Sequence, residues 1–214
     1  MAMTNKHLPH DLKQMQSLPL EAKIIMTQQR IRQWHEYWDG NVYVSFSGGK
    51  DSTVLKHIID SMYDDVPAVF VNTGLEYPEI QKFVKDIKAG KYDCFSSNVE
   101  IVRPEMRFDE VLRKYGYPVV SKEVSKYIKE GRSALKNGNT QYYALQKLQG
   151  RLLDKEGNKS IYNCEKWGFM LDAPYKISNQ CCDVMKKRPI KRYEKETGRK
   201  SFVGTLACES MLRR

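Results

Sequence analysis

A turn of nine residues, Ser45 to Thr53, contains the residue types that bind anionic groups (SFSGGKDST). It combines two glycines, a lysine, an aspartate and several hydroxyl side chains between an apolar run and a helical pattern. Glycines let the backbone approach a phosphate closely, and a helix N-terminus offers free N–H groups and a positive dipole end. We therefore predict phosphate contacts from Ser45, Ser47, Gly48, Gly49, Lys50, Asp51, Ser52 and Thr53.

This turn differs from the two most familiar phosphate loops. A Walker A loop requires G-x-x-x-x-G-K-[ST], whereas here Gly49 and Lys50 are followed by Asp51, and no glycine stands five residues before Gly49. The dinucleotide pattern G-x-G-x-x-G is also absent from this segment. The motif to be explained is thus S-G-G-K-D-S after a strand.

Cysteines are the second group of residues that could do chemistry. The chain has five of them, an odd number, and no secretory signal, so a disulfide framework is not expected. Cys181 and Cys182 lie in a segment rich in Lys and Arg, where thiolates are favoured, and together with Cys208 they are the candidates for a catalytic nucleophile. A [4Fe–4S] cluster needs about four cysteine ligands. Its candidates are Cys164, Cys181, Cys182 and Cys208.

No spacing among these cysteines is diagnostic, and other roles stay open. A buried cysteine can act as a small apolar side chain, which is the favoured alternative for Cys164 and Cys94. For the pair Cys181 and Cys182, a vicinal disulfide or a persulfide carrier is a further alternative.

The elements that would position these residues alternate between strands and helices. Short apolar runs predict parallel strands, since continuously apolar strands are typical of a sheet covered on both faces. The fold class is therefore α/β, a Rossmann-like open parallel sheet of four to five strands with helices on both faces. The predicted strands are 42–46, 68–72, 99–103 and 201–207. Helical periodicity predicts an N-terminal helix over about 17–39 and helices near 52–62 and 79–88.

The pattern changes after Pro104, where a basic and mostly helical insertion is predicted over about 121–160. Net charge is +10 and the sequence pI is about 9.3. Residues 122–159 alone carry nine Lys and Arg against four Asp and Glu. Such a surface attracts polyanions, so a nucleic-acid partner and a merely solvated face both stay open. We expect one domain over 1–214, no membrane partner and a cytoplasmic location, because no apolar run approaches the roughly 20 residues of a membrane helix.

The motif S-G-G-K-D-S resembles the PP-loop of adenine nucleotide α-hydrolase-like proteins. Within that superfamily, four further segments resemble the phosphoadenosine phosphosulfate reductase family. They are VFVNTGLEYPE (69–79), VEIVRP (99–104), CCDVMKKRP (181–189) and GTLACESMLR (204–213). The resemblance implies that the loop holds the pyrophosphate of ATP, or its sulfate-bearing equivalent in adenylyl sulfate or PAPS-type nucleotides.

The resemblance also implies further ligand contacts. Asn72, Thr73 and Gly74 would lie near the adenosine, and Lys186, Lys187 and Arg213 are candidates for the remaining anionic groups. Mg²⁺ and a [4Fe–4S] cluster are candidate cofactors. Two departures matter: Leu206 stands where the family usually has an arginine, and the cysteine-bearing C-terminal segment that attacks the substrate sulfur in the reductases is not in this sequence.

Three functions follow as hypotheses. The first is an oxidoreductase or transferase of sulfur metabolism that acts on adenylyl sulfate or PAPS-like sulfonucleotides. The second is an ATP-dependent sulfur transferase or nucleic-acid-modification protein that adenylates its substrate. The third is a non-catalytic nucleotide-binding subunit, which would be completed by a partner chain or by a homo-oligomer.

Overall fold

Two compact units make up the chain in a computed structural model, which describes residues 9–205 except for the side chains of Pro9 and Leu12. Among the described residues, the first unit comprises 9–102 and 190–205, and the second comprises 103–189. The insertion predicted over 121–160 falls within the second unit. The single domain over 1–214 stays a prediction, and the two units are described one at a time below.

The first unit contains a parallel sheet of four strands, in the order β3-β2-β1-β4. In the register, Phe46 of β1 pairs with Phe70 of β2, and Val44 of β1 pairs with Phe202 of β4. The strands are β1 (Val42–Phe46), β2 (Ala68–Val71), β3 (Val99–Val102) and β4 (Lys200–Phe202). This all-parallel sheet confirms the predicted α/β, Rossmann-like fold class.

Both faces of the sheet are covered by helices, as the continuously apolar strands require. One face packs Val42, Val44 and Phe46 against helical residues such as Ile59 and Val84. The helices that precede β3 in the chain are α1 (Pro9–Ser17), α2 (Leu20–Tyr37), α3 (Lys50–Asp60) and α4 (Pro78–Lys88). The predicted N-terminal helix thus corresponds to α2, and α1 is an additional helix.

The other face carries two buried tyrosines from different elements. Tyr43 of β1 and Tyr193 of α9 (Arg188–Thr197) pack edge to face, with ring centroids 5.2 Å apart. The Tyr193 hydroxyl donates to Glu100, and burial together with this bond raises the pKa of Tyr193 to about 12. The Tyr43 hydroxyl donates to Glu194. These bonds give both buried tyrosine hydroxyls a hydrogen-bond partner within an otherwise apolar layer.

The second unit is helical. Two apolar clusters form its core, one around Val124, Ile128 and Leu148 and the other around Val111 and Met185. Its elements are α5 (Phe108–Tyr115), α6 (Lys122–Lys136), α7 (Tyr143–Leu148), a 3-10 helix (Glu165–Asp172), α8 (Gln180–Cys182) and a π-helical turn (Asp183–Lys187) that leads into α9. Within residues 9–205, no helix is long and apolar enough to cross a membrane.

Candidate functional site

The turn after β1 lies at the topological switch point of the sheet. From β1 the chain proceeds to β2 on one side, while β4 pairs with β1 on the other side. Open parallel sheets bind ligands outside the carboxyl ends of the strands at such a point, where neighbouring connections diverge. The predicted phosphate loop therefore lies at the position where open parallel sheets generally bind ligands.

Hydrogen bonds within the turn hold it in shape. Ser52 is buried, and its hydroxyl donates to the Gly49 carbonyl at 3.0 Å while it accepts from the Ser47 N–H at 3.2 Å. The Ser47 and Ser52 hydroxyl oxygens are 2.9 Å apart. Thr53 also donates from its hydroxyl to the Gly49 carbonyl, at 2.9 Å. The hydroxyls of Ser52 and Thr53 thus build the loop, and the hydroxyl of the exposed Ser47 contributes to it by accepting from the Gly49 N–H at 3.3 Å.

Gly48 has a conformation and a position that exclude other residues. Its φ is +71°, a region that L-residues rarely adopt. A Cβ at Gly48 would lie 2.7 Å from Ile80 Cγ2 and 3.3 Å from Val84 Cγ2, both on α4. The loop therefore packs directly on α4.

The N-terminus of α3 follows directly on the glycine turn. Gly49 is the N-cap residue and, in the described part of the chain, no side chain caps this helix. The first amides of a helix have no acceptor four residues earlier, so the N–H groups of Lys50, Asp51 and Ser52 are available to an anion. The Lys50 side chain is exposed next to them. Glycine backbone, free amides and a positive charge converge here.

The turn after β2 is closed by a carboxylate clasp. Glu76 accepts from the Thr73 N–H at 3.0 Å and from the Thr73 hydroxyl at 2.6 Å. The Asn72 side chain accepts from the Gly74 N–H at 3.0 Å, and Gly74 has a φ of +79°. Since β1 and β2 are parallel neighbours, this turn and the phosphate loop follow the same edge of the sheet.

The segment after β4 also reaches the phosphate loop. A Cβ at Gly204 would lie 3.1 Å from the Asp51 carbonyl oxygen and 3.5 Å from Leu55. The chain that follows Gly204 therefore starts beside the first turn of α3. Leu206, Cys208 and Arg213, which belong to this segment, lie outside the described residues.

The remaining predicted residues lie elsewhere in the chain. Ser45 is half-buried within β1, in register with Val69. Lys186 and Lys187 are exposed on the π-helical turn of the second unit. The site predictions for these residues stay predictions. The sequence analysis did not identify Ile80 as a neighbour of the loop. The one sequence signal for this contact is the helical periodicity of α4.

The described cysteines occupy different surroundings. Cys164 packs against the α6 core cluster, and burial raises the pKa of its thiol. Cys181 packs against the cluster around Val111. Among residues 9–205, no group of three or more His, Cys, Asp or Glu side chains is placed to hold a metal ion. The described cysteines alone therefore do not fit an iron–sulfur cluster, and a cluster that includes Cys208 stays a prediction.

Two uncharacterized proteins are similar to part of this chain. Over 91 residues the chain is 36% identical to the uncharacterized protein MJ0973 of Methanocaldococcus jannaschii; the matched part is 41% of this chain and 21% of the relative. It is also 37% identical over 79 residues to the uncharacterized protein MJ0066 of the same organism, which is 36% of this chain and 15% of that relative. The chain thus spans only a small part of the length of these relatives.

A family-level match covers the loop, the clasp and the strands around them. Residues 41–141 match the phosphoadenosine phosphosulfate reductase domain. This range contains the S-G-G-K-D-S turn, β1 to β3 and the Thr73–Glu76 clasp. It confirms the resemblance that the sequence motifs indicated. Residues 41–141 are therefore similar to the phosphoadenosine phosphosulfate reductase domain.

Proposed function

We propose that this chain binds an adenine nucleotide at the carboxyl end of β1 and acts on adenylyl sulfate or PAPS-like sulfonucleotides in sulfur metabolism. The observation that carries the proposal is the uncapped N-terminus of α3 behind the Gly48–Gly49 turn. Phosphate oxygens would accept from the amides of residues 50–52, and the turn after β2 would flank the adenosine. The family match supports this class of ligand.

Asp51 would take part through a cation. It is the only carboxylate between residues 45 and 53, and it lies in the first turn of α3. Mg²⁺ is usually held by one or two carboxylates together with substrate phosphates and water. A nucleotide-bound Mg²⁺ would let this negative side chain contribute to an anion site instead of repelling it.

The reductive reaction would need a thiolate to attack the sulfur of the sulfonucleotide. Cys181, Cys182 and Cys208 are the candidates. Cys164 is unsuited, because burial raises the pKa of its thiol and so reduces the fraction of thiolate. If the chain turns over sulfonucleotides, we propose that it is an oxidoreductase or a transferase that uses one of these three cysteines.

Calorimetric titration with ATP, adenylyl sulfate and PAPS tests the nucleotide site. We expect the wild type to bind at least one of them with Mg²⁺ present, and Gly49→Val and Asp51→Ala to weaken that binding at least roughly tenfold, about 1.4 kcal/mol. Among the described residues, a Cβ at Gly49 would meet only Ser47 Oγ, at 3.4 Å, so these residues leave room for a side chain there. Lys88→Gln, at the exposed end of α4, is the control. Full affinity in folded loop variants would refute the site.

A second candidate function is an ATP-dependent sulfur transferase or nucleic-acid-modification protein. The observation that favours it is the distribution of charge: residues 103–189 contain 18 Lys and Arg against 10 Asp and Glu, while the rest of the chain contains 18 and 16. Release of pyrophosphate from ATP would support this function. Nucleotide binding without turnover would instead support a non-catalytic subunit that works with a partner chain or a second copy.

The cluster hypothesis has its own test. After anaerobic purification, iron and acid-labile sulfide are measured together with the visible absorption spectrum. About four irons per chain, lost on replacement of Cys181 and Cys182 by Ser, would support Cys₄ ligation. Iron that is unaffected by the double replacement would exclude these two residues as ligands.

A further inference from the structure

Four lysines form one stripe along the exposed side of α6. Lys122, Lys126, Lys129 and Lys136 are spaced by four, three and seven residues, and all four are exposed. At 100° per residue these positions stay within roughly 40° of one line along the helix. The stripe is about 21 Å long, since each residue adds about 1.5 Å. Ser133, also exposed, continues the same line.

The opposite side of α6 is buried, which makes the helix a firm support for the stripe. Val124, Ile128 and Ala134 are among the buried residues of this side. Arg132 secures the flank by donating to the carbonyl oxygens of Met170, Leu171, Ala173 and Tyr175, at 2.7–2.9 Å. The lysines therefore extend from an element that cannot rotate freely.

The stripe is poorly neutralised by the protein itself. In the described part of the chain, its one carboxylate contact is Lys126 with Glu130, at 3.9 Å. Like charges three or four residues apart destabilise a helix by about 0.2–0.5 kcal/mol per pair, and both Lys122–Lys126 and Lys126–Lys129 are such pairs. Lys122 also begins the helix, where the dipole disfavours a cation. A bound polyanion would relieve all of these repulsions.

We infer that this lysine stripe binds the phosphodiester backbone of a nucleic acid. The inference deepens the second candidate function, and it rests on that candidate for the class of partner. A line of four positive charges suits a polymer with evenly repeated negative charges, and such contacts provide affinity without sequence preference. A membrane surface suits the stripe less well, because an interfacial helix inserts an apolar face and the apolar side of α6 is occupied by the core of its own unit.

The test compares two charge-matched variants of the full chain. One carries K122Q, K126Q, K129Q and K136Q; the other carries K13Q, K23Q, K85Q and K88Q, which are exposed lysines on helices of the first unit. Both lower the net charge equally. Binding of fluorescein-labelled duplex DNA, single-stranded DNA and RNA of mixed sequence is measured by anisotropy between about 50 and 200 mM salt.

We expect the stripe variant to bind duplex DNA at least roughly 100-fold more weakly near 0.1 M salt, with a salt slope smaller by about 3 to 4. The control variant should lose much less. If RNA or single-stranded DNA binds more tightly than duplex DNA, that result would identify the type of nucleic acid and would still support the inference. Equal losses in both variants would overturn it, because non-specific net charge would then account for binding. Binding of phosphatidylserine vesicles in place of all three nucleic acids would overturn it as well.

Two further measurements keep the result unambiguous. Lysine acetylation followed by mass spectrometry should show protection of the four stripe lysines when nucleic acid is bound, and absence of protection would contradict the inference. Nucleotide titration of the stripe variant should match the wild type. If the nucleotide-site proposal is wrong, the wild type will not bind ATP or a sulfonucleotide. That result is independent of nucleic-acid binding by the lysine stripe, so the two proposals can fail separately.

Discussion

Gly48 and Ile80 are so close that a methyl group at the glycine would lie 2.7 Å from Ile80 Cγ2. This contact joins the phosphate loop after β1 to α4, which lies 32 positions further along the chain. It explains why the first glycine of the loop matters for packing as well as for its positive φ. The first prediction tests this relationship.

Gly48→Ala should destabilise the fold by about 2–4 kcal/mol, because a positive φ and an overlap with α4 both oppose the methyl group. Gly90→Ala is the matched control: its φ is +70°, but a Cβ there would meet nothing within 4 Å. We expect a cost of about 1–2 kcal/mol for the control. Urea unfolding measures both. If Ile80→Ala fails to recover part of the Gly48→Ala loss, the overlap is not the cause.

Ser52→Ala should destabilise the protein by about 1–3 kcal/mol, because it leaves polar groups of the loop without their buried partner. The Ser47 N–H and the Gly49 carbonyl would both lose a bond. Nucleotide affinity should fall as the loop loosens. Ser61→Ala removes an exposed hydroxyl that bonds only to the Ile58 carbonyl, and should cost much less. Equal unfolding midpoints for the two variants would argue against this role of Ser52.

Glu76→Ala should open the turn after β2. Both carboxylate oxygens of Glu76 accept from Thr73, so the replacement leaves the Thr73 N–H and the Thr73 O–H without this acceptor. We expect a loss of about 1–3 kcal/mol in stability and weaker binding of the nucleoside part of the ligand, measured by titration with adenosine and with ATP. Glu79→Ala, an exposed carboxylate in the first turn of α4, serves as control. Unchanged affinities for adenosine and ATP would show that the Thr73–Glu76 clasp does not contribute to ligand binding.

Arg132→Ala should be among the most destabilising single changes in the second unit. Its guanidinium donates to four carbonyl groups of residues 170–175, and bonds that involve a charged group contribute about 1.5–3 kcal/mol each. We expect a total loss of about 3–5 kcal/mol, which is less than the sum for four such bonds, because Arg132 is only half-buried and water can replace part of the lost bonding. Recovery in Arg132→Lys should be only partial, because an ammonium cannot reproduce the planar fork. Arg113→Ala, which removes an exposed pair with Asp109, should cost less than about 1 kcal/mol. Equal losses would refute this bracing role.

Cys164 should titrate above the usual thiol range in the folded protein, because burial disfavours its thiolate. Its alkylation by iodoacetamide, followed by peptide mass spectrometry, should therefore rise with pH around a midpoint above about 8.5. The same peptide in urea-unfolded protein should show the ordinary midpoint. The midpoint is the readout, since restricted access alone would lower the rate without shifting it. Coincident midpoints in the folded and unfolded chain would contradict the burial of this thiol.

The glycine turn of the candidate site and the fold class could be predicted because their signals are local. Continuously apolar runs indicate buried parallel strands, and a glycine turn between a strand and a helix indicates an anion site. Both follow from residues within a few positions of one another, so the prediction of the fold class needed no partner from elsewhere in the chain. The basic character of the insertion was equally visible in composition.

Long-range contacts were beyond the reach of these signals. Lys56 stands in a helix whose apolar residues were expected to face inward, yet its own ammonium is buried, bonded to Asp60 at 2.7 Å and to the Ser96 carbonyl at 2.9 Å. From the sequence alone a charged residue is expected on the protein surface, because burial of a charge costs free energy unless a partner is present. Only tertiary structure brings Ser96 to that position.

The sequence by itself determined the parallel α/β fold, the phosphate loop and the excess of positive charge, since each depends on composition or on short-range order. Tertiary structure decided that Gly48 rests on Ile80, that Glu76 closes the second turn, and that the lysines of α6 stand on its solvent side. The physical reason is that packing chooses which face of a helix is buried and which distant groups meet. Those choices depend on the free energy of the whole fold and not on any one segment.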